Sequence, residues 1–153
     1  MSQPQILILI ADYYEEICSQ LETGACRALE RKGIGYKIER VPGALEIPTA
    51  LALAINADKF SGDSASRAFS GCVALGCVIR GETSHYDIVA NQSAGFLLEL
   101  ATKHGIPVGN GILTVDNRDQ AIERAHPDKR DKGGDAAQAC LALMALSDRF
   151  DDT

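Results

Sequence analysis

The chain has 153 residues, 46% of them hydrophobic and 24% charged, and carries a formal net charge of −6. That length favours one domain, residues 1–153, with room for a sizeable core. The negative balance argues against nucleic acid or an anionic membrane as the main partner, because both want clustered Lys and Arg; an anionic small substrate stays open, since a few local donors outweigh a mildly acidic surface.

Met1-Ser2-Gln3-Pro4 places no basic region before the first apolar run, so a signal peptide is not expected. Gln5–Ala11 is short and continuously apolar, the pattern of a central parallel strand buried on both faces. From about Tyr14 to Lys32 the period becomes helical, with Ile17, Leu21, Ala25 and Leu29 on one stripe and Gly33 and Gly35 ending it. Tyr36–Val41, with polar residues interleaved, reads as a strand near a sheet edge. Pro42-Gly43 breaks the chain before a helix over Ile47–Ile55, where Pro48 suits the first turn. That helix is apolar nearly all round, so both its sides should be covered, one of them by another subunit.

Phe60–Ala68 reads as a loop and Ser70–Ile79 as the third strand. His85–Thr102 is the third long helix, with Val89, Phe96, Leu97 and Leu100 expected inward, and Pro107–Thr114 the fourth strand. Asn117-Arg-Asp-Gln120 resembles an N-cap with its return partner, opening a short helix to about Arg124. His126–Lys132 is a charged loop, and Gly133–Phe150 the last helix, with Ala137, Cys140, Leu141 and Met144 on its broad apolar face. Strands alternating with helices imply a parallel sheet with right-handed crossovers and helices on both faces. Ligands of such sheets bind at the carboxyl ends of the strands.

The five cysteines, Cys18, Cys26, Cys72, Cys77 and Cys140, form no CxxC and are expected as buried reduced thiols of a cytoplasmic protein. Cys72 and Cys77, five apart in a strand, should point to opposite faces. His85, His104 and His126 lack zinc-ligand spacing, so no metal site is expected.

Gly81-Glu-Thr-Ser-His-Tyr-Asp87 follows a strand and opens a helix. Ser84 and Asp87 have capping-box spacing, Gly81 lets the backbone turn close to a ligand, and the amides near Glu82 and Thr83 at a helix start make an anion site. An ordinary capped helix gives the same spacing. His85 in the first turn, beside such an anion, is suited to move protons near pH 7; a lone surface histidine is the alternative. Glu46, at another strand-to-helix turn, would accept from sugar-like hydroxyls, with the peptide edges of Ala44 and Leu45 reading a heterocycle; a helix-initiating acid is the rival. Tyr13 either stacks on a flat ring or packs on its own helix. Arg124 and Lys132 flank a basic loop of the kind that is usually solvated, and the guanidinium of Arg124 suits bidentate phosphate recognition. The first turn, Ala11-Asp-Tyr-Tyr14, has neither the glycines of a dinucleotide-binding domain nor the hydroxyls of a flavodoxin phosphate loop, and no Walker-type loop or Gly-x-Ser-x-Gly elbow occurs.

Three segments together, Val41-Pro-Gly-Ala-Leu-Glu-Ile-Pro48, Gly76-Cys-Val-Ile-Arg-Gly-Glu-Thr-Ser-His-Tyr-Asp87 and Gly111-Ile-Leu-Thr-Val-Asp-Asn-Arg-Asp-Gln-Ala-Ile-Glu-Arg-Ala125, resemble 6,7-dimethyl-8-ribityllumazine synthases, and the likeness runs on to Lys132-Gly133. The resemblance implies a flavodoxin-like three-layer α/β sandwich around a four-stranded parallel sheet. It implies a cofactor-free transferase of riboflavin biosynthesis, which condenses 5-amino-6-ribitylaminouracil with 3,4-dihydroxy-2-butanone 4-phosphate and releases phosphate and water. Active sites between the subunits of a homopentamer are implied as well.

Residue by residue, the likeness puts Tyr13 beside the pyrimidine, Ala44, Leu45 and Glu46 along the pyrimidine and ribityl chain, and Cys77, Val78 and Ile79 under the ring. It puts Gly81, Glu82 and Thr83 at the phosphate, His85 at proton transfer, and Arg124, from the adjacent subunit, on the phosphate with Lys132 nearby. Asn110 stands where many members carry an aromatic facing the neighbour's site. The loop Ala125–Lys132 lacks the Gly-Thr-Lys-x-Gly-Asn pattern of shell-forming members, and little sequence precedes the first strand, so a free pentamer is expected. The rival function on the same fold is a flavin- or pterin-binding carrier without turnover.

Overall fold

Ile6, Ile8 and Ile10 point to one face of the first strand and Leu7, Leu9 and Ala11 to the other, and none is more than 3% exposed. This two-sided burial organises the computed structural model, which describes residues 4–63 and 65–152; Met1 to Gln3 lie outside the described residues. The elements are β1 (Gln5–Ala11), α1 (Glu15–Arg31), β2 (Gly35–Val41), α2 (Glu46–Asn56), β3 (Gly71–Ile79), α3 (His85–His104), β4 (Val108–Val115), α4 (Arg118–Ala125) and α5 (Lys132–Asp151).

The four strands are parallel in the order β2-β1-β3-β4, with Ile8 opposite Ile38 on one side and Val73 on the other. Helices α1, α4 and α5 cover the face of Ile6, Ile8, Ile10, Val73 and Leu75; α2 and α3 cover the face of Leu7, Leu9, Cys72 and Ala74. Each wholly buried isoleucine of β1 contributes about 1.5–3 kcal/mol of hydrophobic stabilisation. Cys72 and Cys77 fall in opposite layers, as the strand period requires. Helix α5 lies close on the sheet because Gly109 of β4 has no side chain; a Cβ there would run into the carbonyl of Ala136.

The sheet also fixes where a ligand can bind. After β1 the chain moves to β2 on one side, and after β3 it moves to β4 on the other. The carboxyl ends of β1 and β3, adjacent in space, therefore diverge and leave a crevice at this switch point. The turns that follow them carry Tyr13 and Gly81–His85.

Several expectations need correction. Gly33, at φ +67°, ends α1, whereas Gly35 already belongs to β2. Phe96 is 53% exposed rather than inward; Val89, Ser93 and Leu97 are the buried residues of α3, whose apolar residues spread round the helix. The helix runs on to His104 because Gly105 supplies a left-handed cap at φ 63°. Asn117 caps α4 by accepting from the Gln120 amide at 2.9 Å, but Gln120 Oε1 accepts from Asp116 N–H (2.8 Å) instead of returning to Asn117. The charged loop closes one residue early: Asp131, at φ 47°, caps α5 by accepting from Gly134 N–H at 3.2 Å, so Lys132 is already helical. Within one chain α2 is covered on one side only, burying Ile47, Pro48 and Leu51 and leaving Leu53 66% exposed.

Candidate active site

A cleft of about 520 Å³ opens at the switch point. Its floor is the end of β3, where the last strand residues Cys77, Val78 and Ile79 lie under the opening. Cys77 is 6% exposed, and burial pushes its thiol up to about 12, so it is neutral and unreactive at physiological pH. Tyr13 forms one wall. It is 73% exposed and stands edge-on to Tyr14 at 4.9 Å between centroids; Tyr14, not Tyr13, packs against the core. Tyr13 is thereby left open to the cleft.

The second wall is the turn between β2 and α2. Glu46 N–H donates to Gly43 O (3.1 Å) and Ile47 N–H to Ala44 O (3.2 Å), a tight bend that presents Ala44, Leu45 and Glu46 to the cleft. Glu46 is the first residue of α2 and exposed, so its carboxylate is held at a positive helix end and stays available to a ligand. Pro42, Gly43, Tyr14, Tyr86 and Val89 complete the lining. The sequence reading named none of these five as a site residue: Pro42, Gly43 and Tyr86 lie inside the quoted motifs, whereas Tyr14 read as the start of a helix and Val89 as core.

The third wall carries the polar chemistry. Gly81, Thr83 and His85 line the cleft, and Glu82 sits exposed on the turn between them. Ser84 and Asp87 do not form a capping box. Ser84 is already helical in backbone (φ −71°, ψ −1°) and makes no side-chain cap, while Asp87 turns to Arg80, 3.6 Å from Nη1. The cap is taken over by Thr83, whose Oγ1 accepts from His85 N–H at 3.3 Å and keeps its own hydrogen to donate. Among the described residues no group accepts from the amides of Gly81, Glu82 or Thr83. Three N–H donors without an acceptor among the described residues, a hydroxyl and the positive end of a 20-residue helix thus lie on one turn, features suited to an oxyanion. The exposed His85 ring is beside it, within reach of whatever the turn holds.

Asn110, Arg124 and Lys132 do not join this cleft. They line a second hollow of about 420 Å³ between β4, α4 and α5. Arg124 Nη1 donates to Gln120 O (3.2 Å), Lys132 pairs with Asp135 (3.6 Å), and Asn110 Oδ1 accepts from Ile112 N–H (2.9 Å). One chain thus holds two separate hollows, one with the histidine and one with the arginine. The remaining basic residues of that corner are solvated, Arg130 facing Glu123 at 3.9 Å.

The fold and cleft define a three-layer α/β protein with an open cleft at the switch point of its parallel sheet. Residues 3–148 match the 6,7-dimethyl-8-ribityllumazine synthase family. The chain is similar to the 6,7-dimethyl-8-ribityllumazine synthase of Methylocella silvestris, 53% identical over 143 residues that cover 94% of this chain and 85% of the relative. It is similar to that of Beijerinckia indica, at 50% over 146 residues (95% and 77%), and to that of Agrobacterium fabrum, at 46% over 150 residues (98% and 99%). The chain belongs to the 6,7-dimethyl-8-ribityllumazine synthase family.

Proposed function

We propose that the switch-point cleft condenses 5-amino-6-ribitylaminouracil with 3,4-dihydroxy-2-butanone 4-phosphate to 6,7-dimethyl-8-ribityllumazine, releasing phosphate and water, as a transferase of riboflavin biosynthesis. The observation that carries this reading is the convergence, at one cleft, of the ring-sized floor Cys77–Ile79, the Ala44–Glu46 bend and the Gly81–His85 anion turn. The pyrimidine lies on the strand end beside Tyr13, with the ribityl hydroxyls donating to Glu46. The phosphate of the second substrate sits on the amides of Gly81, Glu82 and Thr83.

The chemistry follows from those positions. The 5-amino group adds to the ketone and loses water to give an imine; phosphate then leaves, and the enol rearranges and closes the ring with loss of a second water. Donors already in place at the anion turn stabilise the departing charge before the reaction begins. His85 carries protons to and from the reacting atoms, a contribution of roughly 10²–10⁴-fold. Orientation of two bound reactants supplies much of the rest.

Arg124, with Lys132 nearby, completes the phosphate end of a neighbouring subunit's cleft, and Asn110 faces that cleft's ring end. The separation of the two hollows within one chain supports this, as do the exposed apolar side chains Leu53, Ile88, Phe96 and Leu98 on α2 and α3, which a neighbouring copy would cover. A homopentamer with sites between subunits is the assembly we propose, and a solution mass near five chains of 16.3 kDa would agree with it. The five free cysteines support a reducing, cytoplasmic location.

The experiment is to mix the purified protein with both substrates and follow lumazine fluorescence and released phosphate. Product above the spontaneous rate is expected. Tight binding of the pyrimidine without turnover would replace the enzyme by a carrier.

A further inference from the structure

The helix that carries His85 begins without the side-chain cap that its sequence suggested, and among the described residues no group hydrogen-bonds the His85 ring. The ring's place therefore depends on how firmly its backbone is held. Thr83 Oγ1 accepts from the His85 N–H, and one further side chain bears on the same turn. Arg80, the first residue after β3, lies with its guanidinium carbon 4.2 Å from the centre of the Tyr86 ring, its Nη1 3.6 Å from Asp87, and its Nε donating to Asp116 Oδ1 at 3.1 Å. Its own N–H donates to Val115 O at 2.9 Å, which anchors it to the end of β4.

Tyr86 and Asp87 are the two residues that follow His85. Asp116 in turn is fixed through its amide to Gln120 Oε1 at 2.8 Å, at the corner that Asn117 caps. Arg80 thus ties the start of α3, through Tyr86 and Asp87, to the β4–α4 corner, through Asp116 and Val115. It does so from outside, since it is not among the residues that line the cleft. We infer that Arg80 is a positioning residue for His85, holding the first turn of α3 where the imidazole meets the reacting atoms. The inference rests on the condensation proposed above.

Lysine cannot replace it. A guanidinium stacks on a ring while donating to one carboxylate and pairing with a second, whereas an ammonium is a compact point charge on a flexible stem. The pairs are half-exposed, so they add little to global stability; their effect is local.

Both features can be read in kinetics. Arg80→Met should lower kcat roughly tenfold, because a small misplacement of a proton-transferring group is expensive in rate. KM for the pyrimidine and the denaturant midpoint should stay at wild-type values. Arg80→Lys should lose most of the same rate. Asp116→Asn, which removes one contact and keeps the arginine, should lose part of it. In a His85→Ala background, Arg80→Met should cost less than about twofold, since the two residues act on the same step. A fully active Arg80→Lys variant would show that charge and not geometry matters, and overturn the inference. Full additivity with His85→Ala, or kcat and stability falling together, would overturn it too. An inactive wild type would remove the condensation itself and the inference with it, whereas an active wild type with an unaffected Arg80→Met variant removes the inference alone.

Discussion

The buried thiols make a quantitative case about stability in alkali. Cys18, Cys77 and Cys140 are 1%, 6% and 0% exposed, and burial pushes their thiols from 9.0 up to about 11, 12 and 12. Cys72, wholly buried, is pushed up in the same direction. A thiol whose folded pKa is raised stabilises the fold fully below its unfolded value near 9. That contribution is lost as the pH climbs towards the folded value, because the unfolded chain ionises first and binds fewer protons. At about 1.4 kcal/mol per pKa unit and group, raising the pH from 8 to 10 removes about 4 kcal/mol across the three thiols with stated values. That is a large share of the roughly 5–15 kcal/mol typical of a folded domain. Urea denaturation at pH 8, 9 and 10 under reducing conditions measures it: the midpoint should fall steadily, and Cys77→Ala should flatten the decline by about a third. Equal midpoints at pH 8 and 10, or the same decline with and without Cys77, would falsify the assignment of neutral, desolvated thiols.

Three further outcomes follow from the site and the packing. His85→Ala should cut kcat by roughly 10²–10⁴-fold while leaving binding of the pyrimidine intact, measured by titration against turnover; loss of binding instead would make His85 a structural residue. Arg124→Ala should raise KM for the sugar phosphate and hardly move that for the pyrimidine, because in the proposed assembly its guanidinium meets only the phosphate end; equal losses for both would contradict that assignment. Gly109→Ala should destabilise the chain by about 1–3 kcal/mol or more, because the new methyl meets the Ala136 carbonyl and pushes α5 off the sheet; an unchanged denaturation midpoint would mean the contact relaxes freely.

Much of this protein was legible along the chain. The run Ile6–Ala11 is apolar on both rows, which suits β1 because that strand is covered on both faces. The strand period put Cys72 and Cys77 on opposite layers. The strand-to-helix turns at Pro42–Glu46 and Gly81–His85 were recognisable because a tight turn leaves few residue types free to vary, and parallel topology then brought both to one end of the sheet. These are short-range properties, decided within a few residues of backbone.

What the chain alone could not decide is which of two locally acceptable partners a side chain takes. Ser84 and Asp87 have the spacing of a box, but Arg80 competes for Asp87 with a charge-assisted contact and wins, so Thr83 caps the helix instead. In α3 the apolar residues occupy most of the circumference, and only packing against α2, β3 and β4 chose Leu97 for the core and left Phe96 at the surface. Arg124 and His85 belong to motifs read together, yet folding puts them in separate hollows. Periodicity and turn chemistry depend on neighbours in the chain. The choice among competing contacts depends on neighbours in space, which exist only once the strands have taken the order β2-β1-β3-β4.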